Sequence, residues 1–379
     1  MISMMQQARQ FYQQGDFANA IDVYDQVIAM EPRLANAYSN RGASYAALNR
    51  PIEALANFDQ AIVIDADHVE AHIGRAIVWL SQGDFTRGWP EFEWRWKTRE
   101  GRAMHARMGI SQPPWLGAEN IAGKTILLYA EKGLGDTLQF CRFARSVRDL
   151  GATVLLQVQE PLLEVLKQLD CVSQVFAEKE KPPPFDVHCP LLSLPLALKV
   201  NLSAIPEGKY LRAPPVSVAR WHARLGALSK PLIGLVWRGD PNNPIDNTRS
   251  LTLAQLLPHL PHRYRYVCLQ KELDESEQRV AAAHSRDFIL SQDLNFTETA
   301  ALCECLDLVI SVDTSIAHLS ASLGQKTWIL LPFNADCRWL SDRSDTPWYR
   351  SATLYRQASR GDWRAALTQV AVDLNREFL

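Results

Sequence analysis

The sequence predicts an α + α/β protein, in which a helical solenoid precedes two Rossmann-like lobes that each contain a parallel β-sheet. Two observations lead to this fold class. Residues 1–98 repeat small and aromatic residues at a constant step, which is typical of stacked helix pairs. From residue 123 onward, short apolar runs alternate with helical segments, as they do in βαβ units.

The repeat appears when the chain is aligned on itself at a step of 34 residues. The columns hold Ala8, Gly42 and Ala76; Phe11, Tyr45 and Trp79; Gly15, Asn49 and Gly83; Ala20, Ala54 and Gly88; and Tyr24, Phe58 and Phe92. This step is the tetratricopeptide period, in which small residues let paired helices approach and aromatic residues fill the space between them. We therefore expect three repeats over residues 1–98.

A tryptophan-rich segment, Trp89–Trp96, follows in place of a fourth repeat. An aromatic face at the end of a solenoid covers the exposed core or docks the next domain more often than it binds a ligand. Docking is the favoured interpretation, and a ligand surface stays open as the alternative. A connector is expected over residues 99–122.

The first lobe is expected over residues 123–215 and the second over 216–379. In the first lobe, Thr125–Ala130 reads as a buried parallel strand, Gly133 to Asp136 as its turn and Thr137–Leu150 as the following helix. The alternation resumes in the second lobe with strands at 232–237, 266–270, 308–312 and 327–331. Parallel sheets bind ligands at the carboxyl ends of their strands, so the turns of the two lobes should line one cleft.

One strand-to-helix turn in the second lobe has the residues of an anion site. The segment Ile310–His318 runs from a buried strand directly into a helix, where backbone N–H groups and the positive end of the helix dipole suit a diphosphate. Asp313 can accept hydrogen bonds from sugar hydroxyls. The alternative is structural: Asp313 or Thr314 caps the helix, and His318 is a hydrogen-bonded core residue.

Composition excludes several other classes of protein. The 379 residues include 40 Lys and Arg against 42 Asp and Glu, so the net charge of -2 gives no general attraction for nucleic acid. No apolar stretch approaches the roughly 20 residues of a membrane span, and residues 1–10 lack the apolar core of a signal peptide. Seven scattered cysteines without a CxxC pair indicate reduced thiols and no metal site. A cytoplasmic protein is expected.

These motifs together resemble a known family. Asp313-Thr314-Ser315 with His318, and Gly135-Asp136 after the first strand, resemble the donor-site signature of the heptosyltransferase-like glycosyltransferases, which have the B-type (GT-B) architecture. Segments elsewhere are similar to the repeat-fused branch of that family: Trp94 to Lys97, Gly133 to Arg142, Cys189 to Pro195, Pro347 to Tyr349 and Gly361 to Trp363. The resemblance covers nearly the whole chain.

The resemblance implies inverting sugar transfer from a nucleotide sugar, without a metal ion or other cofactor. It places the catalytic base on Asp136, the phosphate-binding turn on Thr314 and Ser315, and a sugar contact on Asp313. Heptosyltransferases proper usually have glycine where Ser315 stands, so the resemblance does not imply heptose. It also implies that the final helix crosses back onto the first lobe.

Asp136 has two interpretations. An Asp in the first turn of a helix commonly caps that helix, and the turn glycines Gly133 and Gly135 do not form a dinucleotide fingerprint because Leu138 occupies its last position. A carboxylate in the cleft could instead remove the proton of an acceptor hydroxyl as the new bond forms.

Several polar residues are placed where they could stabilise the leaving diphosphate or contact the nucleoside. Arg238 follows the first strand of the second lobe, Gln270 and Lys271 follow the second strand, and Arg249 lies after a Pro-rich and Asn-rich loop. Each cation could equally be a solvated loop charge.

The sequence therefore predicts a glycosyltransferase that moves a sugar to an acceptor, either a protein or a glycan held by the repeats. The repeats could instead support a homodimer. The rival hypothesis is a repeat-based scaffold with a vestigial transferase domain.

Overall fold

The structure of the protein is a computed structural model that describes residues 2–226, 228, 231–242, 246–284, 288–290 and 294–378. It divides into two compact units. The first unit consists of Met1–Ser111, Lys199–Ser203 and Asn334–Asp342, and the second of Gln112–Leu198, Ala204–Phe333 and Arg343–Leu379.

The first unit is built from helices that pair in chain order. Its helices are α1 (Ile2–Gln14), α2 (Phe17–Met30), α3 (Ala35–Ala47), α4 (Pro51–Ile64), α5 (Val69–Ser81), α6 (Phe85–Phe92) and α7 (Arg99–Met108). A 3-10 segment, Glu93–Lys97, joins α6 to α7, so the connector expected from residue 99 begins as a helix. The predicted helical solenoid is confirmed.

The turn inside each repeat explains one column of the sequence alignment. Gly15, Asn49 and Gly83 each adopt a positive φ, of 77°, 53° and 78°. Glycine adopts this left-handed backbone without strain and asparagine tolerates it, which ends the first helix of each pair.

Phe58 occupies the space between α3 and α5. Its side chain is 2% exposed. A Cβ built on Gly42 would lie 3.0 Å from the ring atom Cδ1, and a Cβ built on Gly74 would lie 2.5 Å from Cζ. Small residues on both neighbouring helices therefore make room for this ring, as the small and aromatic columns predict.

A ladder of arginine contacts joins successive repeats. Arg41 on α3 donates to Asp25 on α2, and Arg75, one repeat later on α5, donates to Asp59 on α4 at 2.7 Å. Arg75 also donates through Nε to Glu91 on α6 at 3.0 Å. Both arginine side chains are less than 20% exposed, whereas the Asp25 and Asp59 side chains are 51% and 55% exposed, so these ion pairs are only partly shielded from solvent.

The tryptophan-rich segment packs on the third repeat. The Trp94 ring stacks on His72 with a centroid distance of 3.5 Å, and the ammonium group of Lys97 lies 3.5 Å from the Trp94 centroid. Trp339, on the short 3-10 segment Cys337–Trp339, is fully buried in the same unit, and Ser341 donates its N–H to the carbonyl of Ser81.

The second unit contains two parallel sheets, as the sequence predicts. The first lobe has the strands β1 (Thr125–Tyr129), β2 (Thr153–Val158), β3 (Gln174–Ala177) and β4 (Val187–Pro190), in the order β3-β2-β1-β4. Its helices are α8 (Leu134–Phe140), α9 (Ala144–Asp149), α10 (Leu163–Leu166) and α11 (Leu194–Ala197).

The second sheet has the order β10-β9-β8-β5-β6-β7. Its strands are β5 (Leu232–Val236), β6 (Arg265–Cys268), β7 (Phe288–Ile289), β8 (Leu308–Val312), β9 (Thr327–Leu331) and β10 (Ala352–Arg356). The accompanying helices are α12 (Pro215–Leu225), α13 (Asp246–Arg249), α14 (Leu253–Leu256), α15 (Glu275–Ala283), α16 (Phe296–Glu304), α17 (Ser315–Ser322) and α18 (Arg364–Glu377). In β5, β8 and β9 every residue is buried, which explains their continuous apolar runs.

Two details differ from the sequence-based expectation. The helix expected over Thr137–Leu150 is broken into α8 and α9 by the 3-10 turn Cys141–Phe143, where the Arg142 side chain bends back to donate to the carbonyl of Gln139. The final helix, α18, was expected to cross back onto the first lobe. This expectation was wrong, because its buried face, including Leu367 and Val370, packs in the core of the second sheet.

In the described part of the chain, no helix is both long enough and apolar enough to cross a membrane.

Replacing Phe58 with Ala should lower the free energy of unfolding of the repeat unit by about 3–5 kcal/mol, because the ring leaves a cavity between two repeats. Urea denaturation followed by helical circular dichroism measures this loss. Val63→Ala in the same helix is the control, because Val63 is 78% exposed. Equal unfolding midpoints for the two variants would contradict the packing described here.

Candidate functional site

The first turns of α8 and α17 touch each other. A Cβ built on Gly135, in the first turn of α8, would lie 2.8 Å from Cδ2 of the His318 ring on α17. Real Cβ atoms do not approach other atoms so closely, so Gly135 lets the two helices meet. The contact brings the β1–α8 turn of the first lobe against the β8–α17 turn of the second, as expected for a cleft at the carboxyl ends of parallel strands.

Asp136 follows Gly135 directly and lies at this junction. Its Oδ2 atom accepts the backbone N–H of Gly133 at 3.0 Å, so the carboxylate caps its own helix. The capping interpretation thus has a direct contact. The position beside Gly135 also keeps Asp136 next to the second lobe, and the catalytic interpretation stays open on geometry.

The β8–α17 turn has an unusual cap. Thr314 is the N-cap residue of α17, but its hydroxyl makes no capping bond to the described backbone and lies 3.1 Å from the Ser311 hydroxyl instead. The first-turn N–H groups of Ser315 and Ile316 are therefore not satisfied by the Thr314 side chain, and both residues are partly exposed. An uncapped helix start is suited to an anion.

His318 is a buried residue that also contacts the candidate sugar-binding carboxylate. The ring is 2% exposed, and its Nδ1 lies 2.9 Å from the Tyr349 hydroxyl. Its Nε2 lies 3.8 Å from Oδ1 of Asp313. His318 is thus a hydrogen-bonded core histidine, and its position beside Asp313 keeps the functional interpretation open.

Arg249 lies against the same turn and is not a solvated loop charge. Its side chain is 14% exposed, and Nη1 donates to the backbone carbonyl of Asp313 at 2.6 Å. A Cβ on Gly239, just after β5, would lie 2.5 Å from Nη2. The guanidinium group therefore occupies the space between the ends of β5 and β8.

Asp246 holds this arginine in place, and sequence reasoning missed it. The Asp246 carboxylate is 3.1 Å from Arg249 Nε and accepts the hydroxyl of Ser250 at 2.8 Å, while that hydroxyl accepts the N–H of Gly239. The spacing of three residues between Asp246 and Arg249 on α13 was the available signal, because such pairs face each other on a helix.

Arg238 follows β5, but its charge is already balanced. It donates to both carboxylate oxygens of Glu277, at 2.9 and 3.0 Å, and Trp237 donates its indole N–H to the same carboxylate at 2.6 Å. Burial opposes ionisation of Glu277, but the hydrogen bonds from Arg238 and Trp237 outweigh it and lower the pKa of this carboxyl. Glu277 also escaped the sequence analysis.

Gln270 and Lys271, the two polar residues after β6, differ in exposure and in their contacts. Gln270 is 9% exposed, and its side-chain oxygen accepts the N–H of Arg238 at 3.4 Å, which joins the ends of β6 and β5. Lys271 is exposed, and no side chain among the described residues pairs with it. Arg249 thus contacts the turn that contains Asp313 and His318, and the β1–α8 turn of the first lobe lies against that same turn. Among the described residues, Lys271 lies outside these contacts.

Comparison with known families agrees with the division of the chain into a repeat unit and an α/β unit. Residues 8–49 match the sequence model of the TPR repeat. Residues 254–330 match the sequence model of glycosyltransferase family 9 (heptosyltransferase), and this range contains the whole β8–α17 turn.

Two relatives extend the comparison. Protein FlbA of Caulobacter vibrioides is 24% identical over 396 aligned residues, which cover 96% of this chain and 65% of that protein, so the chain spans just under two thirds of that relative. The crystal structure of the glycosyl transferase family 9 from Veillonella parvula DSM 2008 superposes with a TM-score of 0.50 at 12% identity, covering 69% of this chain and 94% of the other. At this identity the likeness is one of fold.

The tetratricopeptide match thus falls within the predicted repeats, and the glycosyltransferase family 9 match includes the β8–α17 turn. The chain thus combines a segment that matches the TPR repeat with a segment that matches glycosyltransferase family 9, and the second match indicates a glycosyltransferase.

Proposed function

We propose that the second unit transfers a sugar from a nucleoside-diphosphate sugar to an acceptor hydroxyl, with inversion and without a metal ion or other cofactor. The observation that carries this proposal is the contact between the turn that holds Asp136 and the turn that holds Asp313 and His318. One turn has a candidate base and the other has an uncapped helix start, which are the two parts that such a transfer requires.

The diphosphate lies against the first turn of α17 in this proposal. The N–H groups of Thr314 and Ser315 and the positive end of the helix dipole face its oxygens. Arg249, which Asp246 pairs with and which donates to the Asp313 carbonyl, places a guanidinium group beside them. Charges fixed in place before the reaction stabilise a leaving group best, and this arrangement gives the electrostatic help that a metal ion gives in other transferases.

The transfer itself needs one proton acceptor and one leaving group. Asp136 removes the proton of the acceptor hydroxyl while the hydroxyl oxygen forms a bond to the anomeric carbon. The bond between that carbon and the diphosphate oxygen breaks at the same time, and the nucleoside diphosphate departs with the electron pair. Asp313, oriented by His318, accepts hydrogen bonds from the sugar hydroxyls. Attack from the face opposite the leaving group inverts the anomeric carbon.

In this proposal the nucleoside contacts residues at the ends of β5 and β6. Gln270 and Lys271 follow β6, and Lys271 is exposed without a described partner, so its ammonium group is available to a ligand. Arg238 has the supporting role of fixing this edge, because Glu277 already balances its charge.

The repeats are proposed to hold the acceptor, either a protein or a glycan, in a cytoplasmic enzyme. Tetratricopeptide repeats generally bind proteins along their stacked helices, and three repeats offer a short surface that could serve a homodimer instead. The competing function is a scaffold with a vestigial transferase. The placement of Arg249 by Asp246 supports activity, since a vestigial site has no physical reason to keep a part-buried cation at the donor turn.

A screen of nucleotide sugars for the release of nucleoside diphosphate separates these two functions. The enzyme should hydrolyse its own donor slowly in the absence of acceptor and bind the corresponding nucleoside diphosphate with a rise in melting temperature. Absence of both responses across uridine, guanosine, adenosine, cytidine and thymidine donors would favour the scaffold.

Asp136→Asn should lower turnover by about 100- to 10,000-fold if the carboxylate is the general base. Melting temperature should barely change, because the amide oxygen of Asn can still accept the Gly133 N–H. Steady-state turnover and thermal unfolding of this variant measure the two effects separately. Near-normal turnover would leave Asp136 with capping alone.

Asp186→Asn is the matched control for this substitution. Asp186 accepts the backbone N–H of Thr125 at 2.7 Å, a contact of the same kind as that of Asp136, but at the opposite end of β1. We expect it to keep wild-type turnover.

Arg249→Met should weaken the binding of the nucleoside diphosphate by about 10- to 100-fold, because a fixed charge beside the phosphates is lost. Isothermal titration calorimetry gives the affinity. Arg279→Met, on the exposed side of α15, should leave it unchanged. Equal affinities for the Arg249 variant and the wild type would remove this arginine from the donor site.

Asp313→Ala should affect the nucleotide sugar more than the bare nucleoside diphosphate, because the lost acceptor faces the sugar. We expect affinity for the sugar nucleotide to fall by about 10-fold and affinity for the nucleoside diphosphate to stay within about 2-fold. Asp345→Ala, at an exposed carboxylate, is the control. Equal losses for both ligands would show that Asp313 has no specific contact with the sugar.

A further inference from the structure

Arg142 is a buried cation at the junction of the two lobes, and the transfer described above does not use it. Arg142 lies in the 3-10 turn that follows α8, and the residue is 3% exposed. In the described ranges no carboxylate forms an ion pair with it. Its three hydrogen-bond acceptors are neutral: the carbonyl of Gln139 at 2.8 Å, the carbonyl of Trp348, and the hydroxyl of Tyr210 at 3.0 Å.

Three aromatic rings surround the guanidinium group, and we call them the aromatic cage. The distances from the guanidinium carbon to the ring centroids are 4.6 Å for Tyr210, 5.5 Å for Trp348 and 4.6 Å for Tyr349. Burial raises the pKa of Tyr210, so its hydroxyl stays neutral and does not balance the charge of Arg142. Attraction between a cation and aromatic rings is strongest where water is excluded, as it is here.

The cage joins parts of the chain that are far apart in sequence. Tyr210 lies between the two sheets in the chain, and Trp348 and Tyr349 precede β10 of the second sheet. Trp348 also packs edge-on against Phe140 and Phe143, which flank Arg142 in the first lobe, with ring centroids 5.6 and 6.4 Å apart. Arg142 is therefore bound on both sides of the lobe junction.

The cage is connected to the candidate active site through Tyr349. The Tyr349 hydroxyl lies 2.9 Å from Nδ1 of His318, and the His318 ring lies against Gly135 and near Asp313. Helix α8 is thus held to the second lobe twice, by His318 at its first turn and by Arg142 just after its last residue. Asp136 lies between these two attachments.

We propose that Arg142 is a positioning residue that fixes the orientation of α8, so that Asp136 faces the donor turn. This inference rests on the proposed function of Asp136. A buried guanidinium group without a carboxylate is costly to desolvate, and an apolar side chain would fill the same space at lower cost. Only a planar cation with several donors, however, reaches acceptors on both lobes in one fixed geometry. A displacement of about 1 Å in a reacting group can lower turnover by about 100-fold.

The test compares Arg142→Met with Arg145→Met. Arg145 lies three residues further along the chain and pairs with Asp170 on the surface, with 47% of its side chain exposed. We expect the Arg142 variant to lose turnover by about 10- to 100-fold while its affinity for UDP, GDP or ADP, whichever the wild type binds, stays within about 2-fold. The Arg145 variant should match the wild type in both measurements.

Amide hydrogen exchange provides a readout that needs no substrate. Exchange in α8 (Leu134–Phe140) and α17 (Ser315–Ser322) should be faster in Arg142→Met than in Arg145→Met, while exchange in the core strand β2 stays the same. Exchange rates in both helices that equal those of the control would overturn the proposal. An enzyme without any transferase activity would refute the proposed function, and the exchange data would still decide whether Arg142 holds α8.

Tyr349→Phe provides the second variant in case Arg142→Met does not fold. The ring of the cage remains, and only the hydroxyl that contacts His318 is removed. Faster exchange in α17 together with lower turnover at unchanged nucleotide affinity supports the proposal. Wild-type exchange and turnover, or equal losses of turnover and nucleotide affinity, would overturn it. Arg142→Lys should not restore turnover, because one ammonium group cannot reach all three acceptors in the same geometry.

Discussion

The close approach of Gly135 to His318 is the constraint on which the rest of the site depends. No Cβ fits between them, and through this contact the turn that starts α8 meets the turn that starts α17. Parallel strands deliver both turns to the carboxyl edges of their sheets, so the fold alone brings polar residues to a common cleft. The particular contact then decides which residues face each other: a carboxylate from the first lobe, and an uncapped helix start with its own carboxylate from the second.

Arg238 and Arg249 are each paired with a carboxylate, but they differ in their other contacts. Arg238 is engaged by both oxygens of Glu277 and cannot add much field to the cleft. Arg249 pairs with Asp246, which also accepts from Ser250, and donates to the Asp313 carbonyl, so its guanidinium group lies at the β8–α17 turn. Two arginines that the sequence analysis placed in the same group therefore have different surroundings, which only their partners in the structure reveal.

The periodic parts of the structure could be predicted from the sequence, because periodicity is local. The columns containing Phe58 and Gly42 predicted the repeat packing, and continuous apolar runs predicted the buried strands. The β8–α17 turn was also recognisable as a strand leading straight into a helix. Contacts over long separations could not be predicted in this way. Arg142 binds partners 68 and 206 residues away, and Glu277 binds Arg238 over 39 residues. No local sequence pattern indicates either contact. The final helix was misplaced for the same reason, since its apolar face fits any core.

A crystal structure with the bound nucleoside diphosphate tests the central claim most directly, namely that the β8–α17 turn is the donor site. The account predicts phosphate oxygens within about 3 Å of the N–H groups of Thr314 and Ser315 and of the Arg249 guanidinium group, a normal distance for charge-assisted hydrogen bonds. A nucleotide bound only at the β1–α8 turn, or only along the repeats, would contradict it.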